Sequence, residues 1–373
     1  MLAVISFLIV LSVLILIHEA GHYFAARLFK IKADEFGYGL PPRIIGVVKE
    51  NGKWKRVKSR DQQSYKNTIW SINWLPIGGF VRIKGEQGDT PDDPDAFHTK
   101  PIWQRFIVIA AGVIMNWVLA AVLLSIGLMI GIPAMLGDEP AGAIVTNHEV
   151  SIVETLKDGI ADKAGIEAMD AIVRVGEVTP MNVEDVQKAI ESHGEESFDI
   201  LVRRGEEEIT VTVTPKYLEE IGKPGIGVSL MDTGTVRFPP HLAIVHGIGL
   251  TWDYTVMMIQ TFGDLFKDLF TGGGETVDQV SGPIGIAVFT GKVAEQGILQ
   301  LIQFSAILSI NLAVLNFLPF PALDGGRAIF LILEAIRRKP VKRDVEAVIH
   351  NIAFLILIGL VILVSIRDIG RFF

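Results

Sequence analysis

The 373-residue chain contains no cysteine. Disulfide frameworks, thiolate nucleophiles and cysteine-ligated zinc sites are therefore excluded. A basic excess is missing too: the formal net charge is −8 and the sequence pI is near 5.6. A nucleic-acid-binding surface needs clustered Lys and Arg, so none is expected. Charged residues make up only 20% of the chain, and half of all residues are hydrophobic. That balance is too apolar for an ordinary soluble domain and too charged for a bundle lying wholly in lipid. A mixed protein follows, part bilayer-embedded and part water-soluble. No Lys or Arg precedes the first apolar run and no small-residue cleavage site follows it. The run is thus expected to be a retained helix rather than a signal peptide.

A membrane-spanning helix needs about 20 mostly apolar residues. Four runs qualify: Leu2–Phe29, Phe106–Ile132, Leu299–Leu318 and Ile349–Ile366. Loop charge orients them. Arg27 to Arg105 holds 15 Lys/Arg against 9 Asp/Glu, and Arg327 to Arg343 holds 6 against one. Pro133 to Ile298 holds 11 Lys/Arg against 27 Asp/Glu, a net of −16. Lys and Arg near helix ends mark the cytoplasmic side. The two basic loops are therefore expected inside and the long acidic segment outside, with the end of the first helix toward the cytoplasm.

That end carries LILIHEAGHYFAARLFK. Ionisable residues at membrane depth are functional candidates by default. His18, Glu19 and His22 form HExxH, and on a helix residues i and i+4 share a face one turn apart, so two imidazoles can grip one ion. Glu19, beside the first ligand, is placed to take a proton from a metal-activated water. With 8 His in the chain, a chance HExxH is expected on the order of once in a hundred such chains. Catalytic zinc takes three protein ligands and one open position, so a His or carboxylate must come from elsewhere. NLAVLNFLPFPALDGGRAIF ends the third apolar run. Pro319 and Pro321 stop a helix there. Asp324 is expected in an irregular segment at the same membrane level as the histidines, with Gly325-Gly326 permitting a tight turn or close backbone approach.

HEAGH on the first membrane helix with NFLPFPALDGG after a later one resembles the site-2 protease family of intramembrane zinc metalloproteases, in its bacterial RseP-like branch. The likeness runs over nearly the whole chain. EFGYGLPPRI resembles the family's membrane re-entrant β-hairpin, WLPIGGFVRIKGE its approach to the second helix, WQRFIVIAAGVIMNWVLA its second core helix and VSGPIGIA the lead-in to the third. Val113 departs from the family, which commonly has proline in an AGPxxN pattern; this bears on helix shape and on no ligand. The resemblance implies Zn²⁺ held by His18, His22 and Asp324, with Glu19 as general base and acid. It implies that Asn316 holds the substrate backbone and that the hairpin around Gly37, Tyr38 and Gly39 pairs with substrate as an added strand. A transmembrane helix hides its carbonyls in its own hydrogen bonds, so an edge that stabilises the extended form makes physical sense.

The implied fold class is a polytopic α-helical membrane protein with four transmembrane helices, a membrane re-entrant β-hairpin and one extracytoplasmic α+β PDZ-like domain. The expected division is transmembrane helix 1 at 1–29, a cytoplasmic-side region with the hairpin at 30–104, and helix 2 at 105–132. The PDZ-like domain follows at 141–216, and a linker with an interfacial amphipathic helix at 217–298. Helix 3 occupies 299–319, the LDGG segment and cytoplasmic loop 320–346, and helix 4 347–367. FDILVRR and EEITVTVTP read as strands around a Gly205 turn, and Val183–Ile190 as a short helix. His241–Phe270 is amphipathic, and its acids favour an interfacial position. A flexible joint is expected at Gly272-Gly273-Gly274. His98, His148, His193, His241, His246 and His350 are expected to be structural, surface or interfacial.

The reading is an intramembrane zinc metalloprotease in a bacterial cytoplasmic membrane. It would act on single-pass membrane proteins such as anti-sigma factors or signal-peptide remnants, with the lipid bilayer as surroundings. The PDZ-like domain would bind peptide or act as a size filter. Two rivals are a soluble-type zincin tethered by one helix and a non-catalytic membrane PDZ adaptor; the first needs HExxH in a soluble domain, and the second needs no metal triad.

Overall fold

Without proline or an interior charge before His18, the N-terminal run forms one uninterrupted helix, α1 (Leu2–Leu28). At 1.5 Å per residue it is about 40 Å long, enough to cross a bilayer. It ends as Lys30 adopts a φ of +58°. The computed structural model of the chain describes residues 2–59, 61, 63, 65–86, 93–137, 140–205, 207–218, 222–271 and 281–372. The expected joint at Gly272-Gly273-Gly274 lies outside them.

The further helices are α2 (Ile102–Ile130), α3 (Ile160–Lys163), α4 (Val183–His193), α5 (Pro240–Thr271), α6 (Pro283–Gln296), α7 (Ile298–Phe317), α8 (Asp324–Arg337) and α9 (Arg343–Phe372). Strands β1 (Ala33–Glu50), β2 (Lys53–Val57) and β3 (Ile69–Ile83) lie between α1 and α2. β4 (Ile132–Met135), β5 (Ile144–Thr155), β6 (Ala171–Val175), β7 (Phe198–Arg204), β8 (Glu207–Val213), β9 (Lys216–Leu218), β10 (Lys223–Gly225) and β11 (Val228–Arg237) lie between α2 and α5. Two compact units result, Met1–Leu124 with Gly247–Phe373, and Ser125–His246.

Among the described residues, five helices rather than four are long and apolar enough to cross a membrane: α1, α2, α5, α7 and α9. The addition, α5, has the lowest mean hydropathy of the five, 1.3, because His246, Asp253 and Tyr254 interrupt its apolar stretch. Only 6% of the apolar window of α9 is buried within the protein. Leu355, Ile356, Leu360 and Leu363 lie exposed along it. Such a surface is stable where hydrocarbon, not water, is the solvent. The chain is a multi-pass membrane protein.

In the first unit α1 packs against β3, α6 and α7. The long strand β1 pairs twice with β3, because β3 turns back on itself. Residues 33–38 therefore lie between 69–73 on one side and 79–83 on the other, with Gly37 opposite both Ser71 and Phe80 and Tyr38 opposite both Ile72 and Gly79. Gly37, Tyr38 and Gly39 are the residues expected to pair with substrate. Gly37 and Tyr38 sit in an inner strand whose ladder positions are taken, and Gly39, at φ +78°, approaches the Leu75 carbonyl. Gly79–Ile83 forms one free edge of the sheet and β2 the other. Glu35, buried within the sheet, accepts from Arg43 Nε at 2.8 Å and fixes the two arms of β1 together.

α7 stops at Phe317 as Pro319 and Pro321 require, but the segment after it is short. Asp324 is the first residue of α8, not part of an irregular loop, and Gly325 and Gly326 lie within that helix's first turn. An acid in a first turn is favoured by the helix dipole. The glycines are needed for close approach: a Cβ at Gly325 would collide with the Phe317 and Leu318 carbonyls. α6, unanticipated, begins where Asp368 of α9 accepts from the Gly282 and Gly285 N–H groups at 3.2 and 2.7 Å.

The second unit is an antiparallel sheet in the order β4-β11-β5-β6-β7-β8. Its core joins Ile152, Val175, Ile200 and Val202 of the sheet to Val186 and Ile190 of α4. The sheet reaches past the expected 141–216 segment: β11 pairs with β5 from Val228↔Thr155 to Arg237↔Ile144 and carries β4 on its other side. α4 is capped by Asn182, whose side chain accepts from Asp185 N. Asp170, fully buried, accepts from Arg204 Nε and Nη2 at 2.8 and 2.7 Å and from Glu167 N at 2.9 Å. Burial pushes its carboxyl up, but the Arg204 guanidinium and the Glu167 N–H more than offset this and hold it below the ordinary value. The stability this contributes is present above the unfolded value of about 3.9 and lost as pH falls through the lower folded value. Asp170→Asn is expected to cost roughly 1.5–3 kcal/mol, read as faster hydrogen exchange of β6 and β7 amides in the whole protein at pH 7. Unchanged exchange would remove this pair from the account.

Candidate metal centre

α1 sets His18 and His22 on one face with ring centroids 4.8 Å apart and Nε2 atoms 3.2 Å apart. Asp324 arrives from the start of α8, its Oδ2 2.9 Å from His18 Nε2 and 3.3 Å from His22 Nε2. Among the described residues this is the one group of three or more His, Asp or Glu able to hold a metal ion. Tetrahedral ligands at about 2.0–2.1 Å from zinc stand roughly 3.3 Å from one another, so the spacing fits. The chemistry of the donors fits as well. His22 Nδ1 lies 2.8 Å from the Val108 carbonyl, which accepts only, so the ring donates there and a neutral ring presents its Nε2 lone pair inward. A carboxylate and imidazole lone pairs converging in a buried site are costly without a cation.

α2 builds the wall behind the rings. Val108, Gly112 and Asn116 recur every four residues and so share one face. Val108 receives His22, and Asn116 Nδ2 lies 3.3 Å from His18 Nδ1. Between them Gly112 makes room: a Cβ there would stand 2.5 Å from His22 Nε2 and 2.7 Å from His18 Nε2. Gly21 in turn meets the backbone of Ala111, which brings α1 and α2 together. Gly112→Ala is expected to weaken zinc binding by at least about tenfold, read as the metal content of purified protein after dialysis. Full retention of zinc would contradict the described packing.

Two further ion pairs fix Asp324. Arg327, one turn along α8, pairs with Glu86 after β3, and Glu334 takes both Nη atoms of Arg105 on α2 at 2.6 and 3.1 Å. Glu19 accepts from the Val81 N–H at 2.9 Å, so the free edge of the sheet reaches the site. A cavity of about 320 Å³ opens here, lined by His18, Glu19, Asn316, Asp324, Arg327 and His350, with Ile15 and Leu312 as apolar wall. His350, expected to be interfacial, faces this cavity but stands outside the three-residue group. Asn316 lines the cavity; Gly37, Tyr38 and Gly39 do not. Gly112, Asn116, Val81 and Val108 were not nominated from sequence. The available signal was the AGPxxN-like stretch, whose glycine and asparagine are Gly112 and Asn116, four apart in an apolar run.

The family model for peptidase family M50 matches residues 6–360. The chain belongs to peptidase family M50. Regulator of sigma-W protease RasP of Bacillus subtilis is 29% identical, with 99% of each chain covered. Zinc metalloprotease RasP of Bacillus licheniformis is 28% identical, again over 99% of each. A Clostridium acetobutylicum relative is 32% identical over 96% of this chain and 94% of its own. Among solved structures, the PDZ domain of an SdrC-like protein from Listeria monocytogenes covers 23% of this chain and 92% of its own, at 20% identity and a TM-score of 0.22. As an M50 peptidase carried on several apolar helices, the protein is a zinc metalloprotease of the intramembrane, site-2 type.

Proposed function

We propose that His18, His22 and Asp324 hold the zinc, and that Glu19 is the general base and acid for hydrolysis within or beside the membrane segment of single-pass proteins. The observation that carries this reading is the convergence of three ligand atoms at a cavity lined by His18, Glu19 and Asp324. When bound, zinc supplies Lewis-acid polarisation of the scissile carbonyl and lowers the pKa of water. Glu19, steadied by the Val81 N–H, takes a proton from the attacking water and passes it to the leaving nitrogen. Asn316 offers its amide to the substrate backbone from the cavity wall. The strand-adding role belongs to the free edge Gly79–Ile83, because that edge carries unpaired backbone groups and already contacts Glu19.

The tip of the sheet supports a re-entrant position. Leu40, Ile44, Ile72, Trp74, Leu75 and Ile77 are all exposed there, a surface suited to acyl chains. In the proposed topology α1, α2, α7 and α9 span, α5 lies at the interface, and the basic loops face the cytoplasm. The PDZ-like segment 141–216, acidic in composition, is proposed to stand outside a bacterial cytoplasmic membrane. Anti-sigma factors and signal-peptide remnants are the proposed substrate classes; the Bacillus subtilis relative, named regulator of sigma-W protease, favours the first.

Proteoliposomes holding the purified protein and a single-pass substrate test this. The expected result is a cut whose new termini, read by mass spectrometry, map inside or at the border of the membrane segment, and which stops on zinc chelation. Cleavage confined to water-exposed loops, or insensitive to chelation, overturns the reading.

A further inference from the structure

We propose that Asn116 is a positioning residue of the metal site, its side-chain carbonyl accepting the Nδ1–H of His18 so that the ring keeps its Nε2 lone pair turned to the ion. This rests on the reading of His18 as a ligand. The contact is buried on every side: Asn116 is 0% exposed and His18 6%. The amide lies 3.3 Å from Nδ1 and is the one hydrogen-bonding neighbour of that nitrogen among the described residues. A ring that gives Nε2 to a metal carries its hydrogen on Nδ1, so the neighbour there has to accept. Of the two amide atoms only Oδ1 can accept, and oxygen and nitrogen of an amide exchange places by a half-turn with almost no change of shape.

Nothing else competes for that oxygen. Among the described residues Oδ1 is buried without a hydrogen-bond partner. The nearby Ser309 hydroxyl donates to the backbone carbonyl of Asn116 at 2.8 Å, not to its side chain. That bond ties α7 to α2 at the level of His18, which holds the asparagine against the ring. His22 has its Nδ1 anchored by a backbone carbonyl that no side-chain substitution removes. His18 depends on a side chain. The two ligands of the same motif are therefore oriented by different means, and only one of them can be undone by substitution.

The test is zinc affinity of the full-length protein in detergent, by competition with a chromophoric chelator. Asn116→Leu, close in shape and unable to accept, is expected to weaken binding about 10–100-fold. Asn116→Asp, which accepts only, is expected to bind zinc at least as tightly as the parent. Asn116→Ala is the companion that adds no bulk and is expected to follow Leu, with helix content held at the parent level in each variant. Parental affinity in both Leu and Ala variants overturns the proposal, and so does an Asp variant as weak as Leu. His18→Ala is measured alongside: parental zinc affinity in that variant sinks the ligand reading itself, a separate failure.

Discussion

Glu19→Gln is expected to keep its zinc and lose its cleavage. Glutamine preserves the length of the side chain and still offers an oxygen to the Val81 N–H that glutamate accepts at 2.9 Å. The sheet edge should therefore remain docked and the neighbouring ligands undisturbed. What disappears is the ability to take up a proton from water and deliver it to the leaving nitrogen. General acid–base groups contribute about 10²–10⁴-fold, so kcat/KM on a membrane substrate should fall by that order while zinc stoichiometry stays at the parent value. A variant cutting within about tenfold of the parent would move the role to another group on the cavity wall. His350 is the first to examine, since its Nε2 is buried there without a hydrogen-bond partner among the described residues.

Asp324→Ala should have a comparable effect by a different route, through loss of the metal. The carboxylate is the one ligand from outside α1, and its Oδ2 closes the triangle with both imidazoles. Structural zinc sites bind with about 10–16 kcal/mol shared over four ligands, roughly 2.5–4 kcal/mol each, so removing one should weaken binding on the order of a hundredfold. Two histidines at i and i+4 then remain, a pair unable to retain zinc through purification. The expected measurement is a metal-to-protein ratio near zero, with helix content intact because α8 keeps its anchors Arg327–Glu86 and Glu334–Arg105. Asp324→Ala protein that still holds stoichiometric zinc would place the third ligand elsewhere.

The parts of this site that sequence makes legible are those whose chemistry is local. HExxH declares itself because an apolar helix has no other reason to carry two histidines and a glutamate, and the helical period alone puts His18 and His22 on one face. Asp324 is legible through prolines that end α7. Its place in a helix was not, because Gly325 and Gly326 oppose helix formation by propensity and are tolerated where the carbonyls of Phe317 and Leu318 crowd them. The α2 wall was hidden for a different reason. Val108, Gly112 and Asn116 lie about ninety residues from the histidines they support, and an apolar helix gives no periodic sign of which face meets a partner.

The sheet shows the same limit. Residues near Gly37 look like a hairpin because glycines and prolines punctuate them, yet which strand is the edge depends on β3 folding back to pair with β1 twice. Register of that kind follows from long-range pairing and not from local alternation. β11 joined the second unit unannounced for a related reason: Asp232, Thr233 and Gly234 interrupt its alternation, while the sheet places it between β4 and β5. α5 passes for either an interfacial or a spanning helix by composition, because its apolar stretch is followed by Asp264, Lys267 and Asp268.

X-ray absorption at the zinc edge of the purified protein tests the central claim most directly. The account predicts one zinc per chain in a shell of nitrogen and oxygen at about 2.0–2.1 Å, with two imidazole signatures and a carboxylate, and no zinc-edge signal from the Asp324→Ala protein. A shell with three or more imidazoles, or an identical shell in the Asp324→Ala protein, would contradict it.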